Sequence, residues 1–225
     1  FLFSFFLSLF LEGASQPQPL DANRAPSLPD HALEPATSSV QARLVSPSRL
    51  LTPRLEVESF EGGLATPLQD GSGPTLVVLW ASWCPNCQVE LRDLVDQASA
   101  LQAAGVSVIA LSTDRLPGES GNSETAARRF WARLGAPFPS YWATQTWLDS
   151  MQTLHQTVAL THIALPLPTS FLVDESGRLA VIYRGPVTSE TVLIDGQRLV
   201  RRDGSLNQSA TPFLRGRDWR RPTVS

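Results

Sequence analysis

Thr75-Leu76-Val77-Val78-Leu79-Trp80, closed after three residues by Cys84-Pro85-Asn86-Cys87, is the stretch that decides the fold. A short uncharged run of this kind reads as a strand buried on both faces of a sheet. The two cysteines are the only ones in 225 residues. A helical pattern begins after them, near Val89. A strand that runs into Cys-x-x-Cys and then a helix is the layout of a dithiol redox centre. The first sulfur then sits at a helix N-terminus, where unpaired backbone N–H groups and the helix dipole favour a thiolate. The thiolate is the species that attacks a disulfide.

Other readings of the pair are weaker on physical grounds. A structural zinc site wants four ligands, and only His31, His155 and His162 are available besides the cysteines. His155 and His162 fall outside the usual His-x3–5-His spacing. A purely structural disulfide between such near neighbours closes a tiny loop and removes little entropy from the unfolded chain. Two inert buried thiols remain the alternative that the strand-to-helix context disfavours.

Working outward, Leu55 to Phe60 alternates and predicts a strand, turned by Glu61-Gly62-Gly63. A second turn is expected over Asp70 to Pro74. Val89, Leu91, Leu94, Val95, Ala98 and Leu101 recur at helical spacing, and Gly105 ends that helix. Val106 to Ser112 is the next buried strand, and Asp114 to Asn122 a loop. Ser123 caps a helix over 124–134 that Gly135 stops, and Pro137 to Pro139 is extended. Trp147, Met151, Leu154 and Val158 mark another helix. Thr169 to Val173, the turn Asp174-Glu175-Ser176-Gly177 and Arg178 to Arg184 read as a hairpin. Thr188 to Leu199 closes the series as a helix, with Gly196 a weak point. Two β–α–β crossovers, a hairpin and a helix make an α/β domain with a central mixed sheet and helices on both faces. Its redox motif lies at the carboxyl end of a central strand.

Hydrophobic residues make up 42% of the chain, enough for one core, and the formal net charge of −3 gives no footprint for nucleic acid. All 18 basic residues are Arg, which excludes Schiff-base lysine chemistry and a P-loop. The apolar run Phe1 to Leu11, followed by small residues, has the pattern of a secretory signal or the remnant of a membrane anchor over 1–15. Residues 16–53 are rich in Pro, Ser, Ala and Thr and read as a linker. The compact domain is expected over 54–200, and an Arg-rich polar tail over 201–225. A start without Met and an Arg-rich end suggest a piece of a larger polypeptide.

The segment Trp80-Ala81-Ser82-Trp83-Cys84-Pro85-Asn86-Cys87-Gln88-Val89-Glu90-Leu91 resembles the active-site segment of TlpA/ResA-type thiol–disulfide oxidoreductases. Leu167-Pro168-Thr169-Ser170-Phe171-Leu172-Val173-Asp174 resembles the segment in which thioredoxin-like proteins carry a cis-proline against the Cys-x-x-Cys. The resemblance implies a thioredoxin-like fold and an oxidoreductase cycle that needs neither metal nor cofactor. Cys84 would attack and Cys87 resolve the mixed disulfide. Glu90 matches an acidic residue placed beneath the site, where burial would raise its pKa and let it relay protons to Cys87. Pro168 would be cis and leave the backbone of Leu167 open to a substrate strand. Trp83, Pro85, Asn86, Leu167, Pro168 and Thr169 would line the substrate. The implied partners are proteins bearing disulfides or thiols, plus an electron donor. The implied location is extracytoplasmic, periplasmic or tethered to the membrane through the N-terminal segment, and the reducing direction is favoured.

The chain departs from the family at Asn86, where members often have Pro, so the reduction potential does not carry over. Pro85 has no N–H, which leaves the amides of Asn86 and Cys87 to stabilise the thiolate. The stretch 115–165 is long for a plain thioredoxin fold. Its Trp131, Tyr141, Trp142 and Trp147 read as core first, and as a cover over the active-site face second. Two other functions stay open. One is a non-catalytic docking module of a larger surface protein. The other is copper binding of the Sco type, with His162 as the distant ligand, although that family usually separates its cysteines by three residues. A peroxidase is disfavoured because no Thr-x-x-Cys precedes Cys84.

Overall fold

The computed structural model of the chain describes residues 42–46, 50–68, 73–118, 121–202 and 206. The leader read over 1–15, most of the linker, part of the turn at 70–74 and nearly all of the Arg-rich tail lie outside the described residues. In chain order the elements are β1 (Ala42–Val45), β2 (Val57–Ser59), β3 (Leu64–Ala65), β4 (Thr75–Trp80), α1 (Pro85–Asp96), α2 (Ala98–Ala103), β5 (Ser107–Ser112), α3 (Glu124–Leu134), β6 (Ser140–Trp142), α4 (Gln145–Ala159), β7 (Thr169–Val173), β8 (Leu179–Arg184) and α5 (Ser189–Arg201).

The strands form one mixed sheet in the order β1-β8-β7-β4-β5-β6-β2-β3. The uncharged run becomes β4, near the middle. It pairs in parallel with β5, Trp80 opposite Ser112, and antiparallel with β7, Leu79 opposite Thr169. β5 and β6 are parallel, and β7 and β8 form the expected hairpin. Alternation along β4 separates two cores. Leu76, Val78 and Trp80 face α1, α2, α3 and α5 through Leu91, Leu94, Leu101, Phe130, Val192 and Leu199. Val77 and Leu79 face α4 through Trp147, Met151 and Ala159. Each of the Val, Leu, Phe and Met side chains among them contributes about 1.5–3 kcal/mol by leaving water. Helices therefore cover both faces, as the sequence predicts.

Local chemistry sets the helix ends. The side chains of Cys84, Ser123, Thr144 and Thr188 each accept an N–H of the first turn that follows. Gly135 ends α3 in the left-handed region at φ 62°. Gly196 sits inside α5 because that helix lies close to Val106. A Cβ at this position would fall 2.3 Å from Val106 Cγ2.

Several boundaries differ from the sequence expectation. The sheet begins at Ala42, inside the stretch read as linker. β1 pairs with β8, Ala42 opposite Arg184 through Val45 opposite Val181. Its four residues are too few for a periodic signal, and tertiary contacts hold it. Arg43 Nε donates to Asp195 Oδ2 at 2.7 Å, and Arg43 Nη2 lies 2.5 Å from Oδ1. Tyr183 donates its hydroxyl to the same carboxylate at 2.7 Å. Asp195 is 1% exposed. The helix expected from Val89 starts instead at Pro85, which is pre-shaped for a first helical position. It breaks at Gln97, whose backbone leaves helical geometry. The first predicted strand shortens to Val57–Ser59, and β6 forms just after the Pro137-Phe138-Pro139 stretch. Among the described residues no helix is long and apolar enough to cross a membrane.

His155 lies on the inner side of α4, fully buried, and neither ring nitrogen has a hydrogen-bond partner among the described residues. Burial, with the nearby Arg184 charge second, lowers its pKa to about 4. The unfolded imidazole titrates near 6.5, so between about 6.5 and 4 the unfolded chain binds more protons than the folded one. Stability is expected to fall as pH drops through that window. His155→Leu should flatten that part of a urea-midpoint-versus-pH curve. An unchanged slope would exclude His155 as its source.

Candidate active site

The site is built at the carboxyl end of β4. Cys84 caps α1, and its Sγ accepts the Cys87 N–H at 3.1 Å. This is one of the amides that Pro85 leaves free. The two sulfurs are joined as a disulfide. Cys84 is 4% exposed and Cys87 0%, so an incoming thiolate or disulfide reaches Cys84 first. Trp83, Pro85 and Asn86 are exposed and form the rim.

Glu90 lies one helical turn beyond Cys87 on the same face of α1. It is 1% exposed. Its Oε1 accepts the Ser170 hydroxyl of β7 at 2.5 Å, and its Oε2 has no hydrogen-bond partner among the described residues. Burial raises its pKa to about 8 against weaker lowering by Ser170 and the Val187 backbone, with the Asp93 charge adding a little. A buried carboxyl poised in this range titrates close to an ordinary thiol near 8.5. Asp93 is itself tied to the start of α5, accepting the Ser189 N–H at 2.6 Å.

The Leu167–Pro168 bond is cis. Because Leu79 pairs with Thr169, Pro168 stands at the same end of the sheet as the cysteines. Leu167 is half-buried and packs against the core that contains Cys84 and Cys87. The Thr169 side chain is fully buried and donates to the Pro166 carbonyl at 2.6 Å. Its hydroxyl is spent on the turn. The structure thus brings Cys84, Cys87 and Glu90 together on one helix, with Leu167 and Pro168 beside them.

Two residues of the site carry no mark in the sequence motifs. Asp114, 4% exposed, gathers donors from three segments. Its carboxylate accepts the Ser82 N–H at 2.8 Å and the Ser82 hydroxyl at 2.5 Å. It also accepts the Ser112 hydroxyl at 2.8 Å and the Ser123 N–H at 3.2 Å. This fixes the backbone just before Trp83 and Cys84. Asn122 accepts the Trp83 indole N–H at 2.7 Å and donates to the Thr113 and Leu116 carbonyls. Ser170 stands inside the quoted segment 167–174, where the motif gives it no role. The one signal in sequence is Ser112-Thr113-Asp114, an acid at the carboxyl end of a buried strand.

The aromatic residues of 115–165 do not form one cover. Trp142 stacks on Phe60 at 4.0 Å, with the Arg115 guanidinium 4.3 Å from its ring centre, while Trp147 packs on the opposite face of the sheet. His162 is exposed. Among the described residues, no group of three or more His, Cys, Asp or Glu side chains is placed to hold a metal ion.

Solved structures share this fold. The secreted thiol–disulfide isomerase of Corynebacterium glutamicum superposes with a TM-score of 0.54 at 21% identity, over 74% of this chain and 95% of that one. A thiol:disulfide interchange protein of the thioredoxin family from Chlorobium tepidum gives 0.52 at 18% identity, over 70% of this chain and 97% of that one. At these identities they establish the thioredoxin-like fold. In sequence, the chain is 25% identical to the thiol-disulfide oxidoreductase ResA of Bacillus subtilis over 122 residues, which are 54% of this chain and 58% of ResA. It is 28% identical to the thiol:disulfide interchange protein HelX of Rhodobacter capsulatus over 125 residues, 56% of this chain and 59% of HelX. The chain thus spans less than two thirds of either relative. The AhpC/TSA family model matches residues 52–182, more than half the chain and all of the sheet from β2 to most of β8, and the chain belongs to the AhpC/TSA family.

Proposed function

We propose that this protein is a thiol–disulfide oxidoreductase that reduces disulfides of extracytoplasmic partner proteins. The observation that carries the reading is the Cys84–Cys87 disulfide at the N-terminus of α1, with the outer sulfur accepting a backbone N–H and the inner one fully buried. The named activities of ResA and HelX support it. In the reduced protein, the Cys84 thiolate attacks a partner disulfide. One partner sulfur leaves as a thiolate and a mixed disulfide forms. Cys87 passes its proton to the Glu90 carboxylate and attacks the Cys84 sulfur. The second partner sulfur leaves, Cys84–Cys87 closes, and two electrons have moved to the partner. A separate dithiol donor must restore the reduced state. The exposed Trp83, Pro85 and Asn86 and the open flank of Leu167 would receive the partner chain. The apolar N-terminal run supports an extracytoplasmic, membrane-tethered or periplasmic setting.

The direct test is a trap. Cys87→Ser should accumulate mixed disulfides through Cys84, seen as adducts that thiol reductant releases on a gel. No adduct from an extracytoplasmic fraction would count against the reading. The reduction potential then decides direction. A value near that of thioredoxin, about −270 mV, supports a reductase, and one near −120 mV supports an oxidant.

A further inference from the structure

Ser170 is fully buried in β7, two residues past the cis-proline. It lies between Val78 of β4 and Tyr183 of β8 in the sheet register. A lone hydroxyl in such a place needs a partner, because an unsatisfied buried polar group is costly. Its partner is the Glu90 carboxyl, reached across a separation of 80 residues. The other oxygen of that carboxyl has no hydrogen-bond partner among the described residues. Ser170 is therefore the side chain that holds Glu90 in place. The titratable groups around this pair are few. Cys87 and Asp93 lie on the same helix as Glu90, and Tyr183 on β8 has its hydroxyl engaged by Asp195.

We propose that Ser170 is a positioning residue for the proton step, fixing the Glu90 carboxyl against β7 and setting how tightly it holds its proton. The physics is a competition between burial and one hydrogen bond. Burial favours the neutral acid. A hydroxyl donor favours the carboxylate, because hydrogen bonds to charged acceptors are the stronger ones. Without the hydroxyl, only the Val187 backbone opposes burial, and Glu90 stays protonated to higher pH. A carboxyl that cannot release its proton cannot take one from Cys87. The part of the inference that concerns Cys87 rests on the oxidoreductase reading above, while the coupling of Ser170 to Glu90 does not.

The test uses the full chain. The Glu90 carboxyl is followed by 13C NMR across pH in glutamate-labelled protein, with its resonance identified by its loss in Glu90→Gln. Ser170→Ala should raise the Glu90 midpoint by about one pH unit, the scale of one hydrogen bond to a charged group. The pair Ser170→Thr and Ser170→Val guards against misfolding, since the two side chains share a shape and differ in the hydroxyl. Thr should keep the wild-type midpoint and Val should raise it as Ala does. An unchanged midpoint in both Ala and Val overturns the inference. The second readout is the pH profile for release of a model disulfide adduct by Cys87, which should move to higher pH with the NMR midpoint. The rate of Cys84 attack in a Cys87→Ser background should not change. A shifted midpoint with an unmoved release profile overturns the role in the proton step. Absence of any exchange by the wild-type protein would sink the oxidoreductase reading and leave the NMR comparison to decide the coupling.

Discussion

Cys84→Ser is expected to abolish reduction of a test disulfide. The serine hydroxyl keeps the shape of the cap at α1 and accepts the Cys87 N–H much as sulfur does. It cannot supply a thiolate, and the thiolate is the attacking species. Cys87 does not substitute for it, because it is 0% exposed while Cys84 holds the outer position. The loss should exceed about a thousandfold, the scale on which removal of a nucleophile acts. The measurement is the initial rate of reduction of a dithiol-sensitive substrate by pre-reduced protein, with circular dichroism to show that the fold persists. A variant that retained normal turnover would sink the dithiol cycle and bring the docking reading forward.

The second large effect is on stability. Asp195→Ala should destabilise the domain by about 3 kcal/mol, the lower end of the cost of breaking a buried ion pair. The lower end applies because the Arg43 side chain is 25% exposed and partly solvated, whereas the Asp195 side chain is 2% exposed. Removing the carboxylate strands the buried Tyr183 hydroxyl and unties β1 from α5. For a domain stable by about 5–15 kcal/mol this is a large share. Urea unfolding followed by tryptophan fluorescence reads it directly. A loss below about 1 kcal/mol would mean that the cluster is no stronger than a surface pair.

Much of the fold is legible in the sequence. The uncharged run of β4, the cap at Ser123 and the hairpin turn at Asp174 to Gly177 all act over a few consecutive residues. They appear where the sequence places them. Short elements are not legible. β1 and β6 carry too few residues for a period, and pairing with β8 and β5 decides them. Of the site, the cysteines and the proline are marked by motif. Asp114 and Asn122 are hidden in a polar loop, since nothing local says that a carboxylate will gather Ser82, Ser112 and Ser123.

The sequence by itself determined a strand, a cysteine-capped helix and the later proline-led hairpin in their order, because periodicity, capping and turn chemistry are short-range. Tertiary structure alone decided that β1 joins the sheet, that Ser170 meets Glu90, and that the burial expected of Glu90 carries its pKa to about 8. A proton affinity depends on the water excluded and the dipoles nearby. Here the dipole that matters is a hydroxyl 80 residues away along the chain, delivered only when β7 lies antiparallel to β4.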